Sequence, residues 1–396
     1  MDKFRFAERT GWELNENALT QTFRTLKDEG APVLDLTESN PTNCRLKMPA
    51  RKILKAFNRK ENLLYRPEAR GLLEARQALS AYFQEQGLNA DPAQIFLTAS
   101  TSEAYAYLFR LLADPGDTVL FPQPSYPLFS FLGELNDVRL KFYPLRYADG
   151  WSVNFAELTE RIEPSTKAIC LVNPNNPTGS YVKPEELKEL VRICREHGLV
   201  LICDEVFWAF SLDGENHLSL LNCREVPVCV LGGLSKTLGL PQMKLSWLVL
   251  GGPSEWQRTA GRRLEVIADT YLSVNTPVQQ ALKDWLKLSR EITGNIRERI
   301  QANARFVQKE MQNVTACRLL PAEGGWYAVL KMPAVRSEEE WVLKLLTKYH
   351  VLAHPGYFYD FVEEPYLVLS LLPEPEVFQE GLRRILSRAE QQYVNA

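Results

Sequence analysis

From about residue 94 onward the chain alternates short apolar runs with longer stretches whose apolar residues recur at helical spacing. That alternation predicts an α/β layer structure with mostly parallel strands. Candidate strands lie at 94–99, 118–121, 139–143, 168–172, 199–203, 228–231 and 244–250, seven in all. The core strands are rich in Val, Ile, Leu and Cys without polar alternation, as a sheet covered on both faces requires. Between them, 102–113 predicts a helix that opens on a hydroxyl and is followed by the turn Asp114-Pro115-Gly116-Asp117. A second helix over 184–197 starts at a proline and closes at Gly198.

The C-terminal third changes character. A charged helical stretch over about 277–312 leads into Glu323-Gly324-Gly325-Trp326-Tyr327, then another helix, then short strands ending at Tyr366-Leu367-Val368-Leu369-Ser370. This predicts a second, smaller α+β domain. The first forty-odd residues have no core of their own and are expected to pack against it. The division expected is a large domain over 46–285 and a small one from 1–45 and 286–396.

Length and composition add limits. A chain of 396 residues suits two closely packed domains. The net charge of −3 offers no basic field for nucleic acid or an anionic membrane. The basic residues from Arg51 to Arg59 are interleaved with Ile53, Leu54 and Phe57, the pattern of a solvated helix face. No apolar run reaches membrane-spanning length, and the charged N-terminus carries no signal peptide pattern. The seven cysteines show no CxxC, so buried reduced thiols and a cytoplasmic protein are expected. Four histidines, no two at i,i+4, make a metal site an unfavoured reading.

The chemistry gathers where candidate strands end at their carboxyl side, the edge at which open α/β sheets bind ligands. Asn173-Pro174-Asn175-Asn176-Pro177-Thr178-Gly179 follows one strand, Asp204-Glu205 another, and Ser235-Lys236 a third through Gly232-Gly233. Singly, such a loop is a turn and such an Asp a helix cap. Together, in this order, NPNNPTG, CDEVF and GGLSKTLGLPQMKLSW resemble the signature series of fold-type I pyridoxal-5′-phosphate (PLP) enzymes, specifically the class I/II aminotransferase family. Upstream pieces extend the resemblance over nearly the whole chain: Leu63-Leu64-Tyr65 with Gly71 to Arg76, Thr98 to Ala104, and Pro124-Ser125-Tyr126-Pro127.

The resemblance implies an aspartate aminotransferase-like fold, with a mostly parallel seven-stranded sheet in the large domain. It implies PLP held as a Schiff base on Lys236, whose amine returns as a general base at the substrate α-carbon. Asp204 would keep the ring nitrogen protonated, and Asn176 would donate to the phenolic oxygen. Ser100, Thr101 and Ser102 open a candidate helix and would bind the phosphate with Ser235 and Lys244. Tyr126 would stack on the ring. Tyr65 would reach the phosphate of the other subunit of a homodimer. Ser39 and Asn40, with Asn176, fall on the substrate side.

Four positions depart from the family pattern. Lys244 stands where Arg is common, a point charge in place of a planar fork. Phe207 stands where a Tyr hydroxyl is common, and losing that donor raises the imine pKa. Ser39 replaces a glycine. Val368 stands where an Arg clamps the substrate carboxylate, with Arg336 and Arg383 as the substitutes in reach of a shifted register. In addition, no Lys or Arg occurs between Arg263 and Lys283. The leading reading is an aminotransferase exchanging an amino group between an amino donor and a keto acceptor. A C–S or other β-eliminating lyase is the enzymatic alternative, and a PLP-fold sensor or regulator the alternative of another class.

Overall fold

The computed structural model describes residues 5–394 apart from Asn216, Ser273 and Glu364. All seven expected strands form one sheet, and the sheet has eight. In sheet order the strands are Ile95–Thr98, Ser246–Gly251, Val228–Gly233, Val200–Asp204, Thr166–Val172, Thr118–Gln123, Arg139–Tyr147 and Trp151–Val153. Ser246–Gly251 runs antiparallel to both neighbours, while the four pairings through the middle are parallel. The expected count of seven is corrected by Trp151–Val153, which folds back antiparallel on the end of Arg139–Tyr147. Three residues are too few to display a strand period.

Successive residues in the central strands enter two different cores, which is why the sequence shows apolar runs without alternation. Cys170, Val172, Val200, Ile202, Cys229 and Leu231 pack on one side with the helices Thr101–Leu112 and Ser254–Thr270. Ile169, Leu171, Leu201, Cys203, Val228 and Val230 pack on the other, in the larger core. The expected helix 184–197 is found as Pro184–His197, and Gly198 ends it in the left-handed conformation at φ 69°. A side chain there would strain the backbone, so the sequence marks this stop clearly.

The C-terminal third builds a four-stranded antiparallel sheet in the order Arg318–Leu320, Tyr327–Lys331, Tyr366–Ser370 and His354–Pro355. Leu34–Asp35 pairs in parallel with Val351–Leu352, so the N-terminal segment packs on this part. The expected single helix over 277–312 is two helices, Thr276–Leu286 and Ser289–Met311. Tertiary contacts bend the chain between them: Trp285 Nε1 donates to the Ile53 carbonyl at 3.0 Å, and Thr293 Oγ1 to the Thr237 carbonyl at 2.9 Å. Among the described residues, no helix is long and apolar enough to cross a membrane.

The two sheets meet beside the Asn173–Gly179 loop. The Gly179 carbonyl accepts from the amides of Glu323 and Gly324 at 3.1 and 2.9 Å. A Cβ on Gly179 would come within 2.5 Å of the Gly324 carbonyl oxygen, so backbone lies on backbone here. Lys183 adds an ion pair to Glu323. This seam brings Trp326 and Tyr327 from the small sheet to the strand ends of the large one.

Candidate active site

At the carboxyl ends of the central strands lies a cavity of about 310 Å³. Ten of the candidate residues line it: Ser39, Ser100, Thr101, Ser102, Tyr126, Asn176, Asp204, Phe207, Ser235 and Lys236. Three others stand outside its lining. Lys244 is exposed, ending the turn Pro241–Met243 in a left-handed conformation at φ 49°. Tyr65 is 82% exposed on the protein surface. Asn40 is exposed, and its side-chain oxygen is used locally, accepting from Thr42 N and Oγ1 at 3.0 and 2.7 Å.

Asp204 ends the Val200–Asp204 strand and is buried. Tyr105 Oη donates to its Oδ2 at 3.2 Å, and Val206 N to its Oδ1 at 3.1 Å. Burial pushes the carboxyl pKa up to about 6, against those two donors and the charge of Lys236. Lys236 follows the Val228–Gly233 strand in a short helical turn, Leu234–Thr237. Burial lowers its pKa to about 8, against the attraction of Asp204. Its ammonium also lies 5.1 Å from the centre of the Trp326 ring and 5.5 Å from that of Phe207. Those rings pack edge-on, 5.2 Å apart. A lysine with aromatic walls and one carboxylate in reach of its charge is set to act as a neutral amine near pH 8.

Ser100 caps the helix Thr101–Leu112 with its hydroxyl, accepting from Glu103 N at 3.1 Å. Glu103 turns back to accept from Ala99 N at 2.7 Å. Thr101 and Ser102 sit in the first turn of the helix, where backbone N–H groups and the helix dipole favour an anion. Asn176 is buried in the cavity wall with its side-chain oxygen unpaired among the described residues. The Nδ2 amide of the same side chain is the donor from which a ring oxygen would accept. A carboxyl held off its usual pKa by burial likewise fits a protonated ring nitrogen beside it. The cavity therefore suits PLP in its charge, its hydroxyls and its amine.

Sequence reading missed four groups. Tyr105 and Trp326 are buried aromatics in apolar stretches, with nothing local to set them apart from core. Ser246 lines the cavity from a strand recognised only as a strand, and Tyr327 from a stretch to which the sequence reading gave no element. Val368, the position of the expected clamp, lies fully buried in the middle of the small sheet, paired with Val329 and His354. Neither substitute considered for it reaches the cavity lining. Arg336 bonds Gln392, and Arg383 lies over Phe306 with Glu310 at 3.9 Å.

The family model for aminotransferases of class I and II matches residues 31–385, and the chain belongs to that family. It is a PLP-dependent aminotransferase, acting on small amino and keto substrates. Among curated relatives it is similar to the glutamate-pyruvate aminotransferase AlaA of Haemophilus influenzae, 25% identical over 91% of either chain. It is also 27% identical to an alanine aminotransferase of Mycobacterium tuberculosis, over 91% of this chain and 86% of the relative. Among solved structures, an alanine aminotransferase from Pyrococcus furiosus superposes with a TM-score of 0.88 at 25% identity, covering 98% of this chain and 100% of that one. The aspartate aminotransferase of Thermotoga maritima, at 20% identity, TM-score 0.84 and coverage of 99% and 100%, shares the fold.

Proposed function

We propose that Lys236 is the residue that holds the cofactor covalently and then carries the proton at the donor's α-carbon. The observation that carries this reading is the pairing of Lys236 and Asp204 in one cavity, each moved off its ordinary pKa by burial. Bound there, PLP supplies an electron sink for the carbon that gives up its proton. Asp204 would hold the ring-nitrogen proton, with Tyr105 and Val206 keeping its carboxylate oriented. Ser100 to Ser102 and Ser235 would hold the phosphate, Asn176 the ring oxygen, and Tyr126 one ring face. Phe207 and Trp326 keep water from the lysine, which favours its neutral, proton-accepting form.

The working unit in this reading is a cytoplasmic homodimer. Leu63, Leu64 and Tyr65 support the dimer, because they expose 89%, 58% and 82% of their surface in one short segment, a patch suited to a second copy. The seven buried free thiols support a reducing compartment. The same reading divides the chain into a large part over 46–285 and a small part from the two ends.

Two measurements test it. Loaded protein mixed with an amino donor should form pyridoxamine phosphate and keto product in equal amounts, with no ammonia. Ammonia appearing in step with keto product would replace transamination by elimination. Borohydride should fix the cofactor to Lys236; a label on another lysine would sink the assignment.

A further inference from the structure

Resting on that reading, the small-sheet side of the cavity defines the donor. The charged side chains in the lining are Lys236 and Asp204, both engaged with the cofactor. On the small-sheet side stand the hydroxyls of Ser39 and Tyr327, with Tyr126, from the loop after Thr118–Gln123, near Tyr327. The Tyr327 hydroxyl neighbours those of Ser39 and Tyr359, and the Tyr359 hydroxyl lies 3.2 Å from His354 Nδ1. Burial holds His354 neutral, lowering its pKa to about 4, and pushes Tyr327 up to about 12. The relay Ser39–Tyr327–Tyr359–His354 is therefore uncharged at neutral pH.

A carboxylate drawn into this side would trade water for neutral hydroxyls, and among the described lining residues the one cation, Lys236, is engaged with the cofactor in this reading. A neutral hydroxyl has no charge to desolvate, and it both donates and accepts, matching the tyrosine and serine hydroxyls. We propose that the preferred amino donor is a 2-amino alcohol, a primary amine whose neighbouring carbon bears a neutral hydroxyl in place of a carboxylate. Its CH–NH2 carbon becomes C=O, a two-electron oxidation. The C=O of the keto acceptor becomes CH–NH2, the matching reduction, and the water consumed in the first half is released in the second. Tyr327 and Ser39 bind the hydroxyl and select for it.

The test compares L-alaninol with L-alanine and L-glutamate on the PLP-loaded protein, by calorimetric titration for binding and by product analysis for turnover. Alaninol should bind at least tenfold more tightly than either amino acid. Tyr327→Phe should weaken alaninol about tenfold, with cofactor absorbance intact; if that variant fails to fold, Ser39→Ala takes its place. Equal or tighter binding of alanine or glutamate overturns the proposal, as does a correctly folded Tyr327→Phe that binds alaninol normally. Absence of keto product from every donor would instead overturn the transamination reading, and the binding order would still decide which group the cavity accepts.

Discussion

Asp204 and Lys236 hold charge that the fold makes costly, and each can be probed alone. Asp204→Asn keeps the shape and both hydrogen-bonding neighbours but removes the charge that would hold the ring proton. Turnover should fall at least 100-fold, about 3 kcal/mol of barrier. Tyr105→Phe removes one donor to the same carboxylate, and a milder loss of a few-fold should accompany a shifted pH profile. Near-normal kcat in the Asp204 variant would end this account of the site. For Lys236 the sign is fixed by its lowered pKa, near 8 against an ordinary 10.5. The amine is then half neutral at about pH 8 and mostly protonated below it. Capture of PLP by cofactor-free protein should accelerate about tenfold per pH unit up to that point and level off above it. A rate still climbing at pH 10 would show an unperturbed lysine.

Among the elements, the seam at Gly179 is the most constrained. Its φ of 73° already disfavours a side chain, and a Cβ would also meet the Gly324 carbonyl and the Ala322 methyl, at 2.5 and 2.7 Å. Gly179→Ala should cost about 2–4 kcal/mol, combining backbone strain with overpacking. Gly198 has nearly the same φ, 69°, with nothing within 4 Å of the added carbon. Gly198→Ala should cost only the backbone share, about 1 kcal/mol. Equal losses in urea unfolding would mean the seam gives way. This pair also shows what the sequence made legible. Gly198 closes a proline-opened helix and was readable as a stop. Gly179 sat in a recognisable loop, but its contact with residues nearly 150 positions away left no local mark. The break after Leu286 went unread for the same reason, being set by Trp285 and Thr293 reaching distant carbonyls.

At the scale of the whole molecule, the large-sheet side of the site was legible and the small-sheet side was not. Strand-end loops advertise their chemistry through Asn, Pro, Gly, Asp and Lys in a fixed order. Tyr327 meets Tyr359 and His354 only once the small sheet pairs strands distant in sequence, so local patterns cannot reveal them. Lys244, Tyr65 and Asn40 came with the same motifs, yet lie outside the cavity of one chain. Tyr65 belongs to the proposed second copy: Tyr65→Ala should weaken PLP retention, and sedimentation should give a dimer at assay concentration. An active monomer would refute that assignment. The uncharged relay also bears on the surroundings in which the protein works. An enzyme that grips its substrate through a guanidinium is open to competition from small organic acids dissolved around it. Among the described lining residues such anions find one cation, Lys236, committed to the cofactor in the proposed site, so the catalytic rate should stay flat as succinate or acetate accumulates.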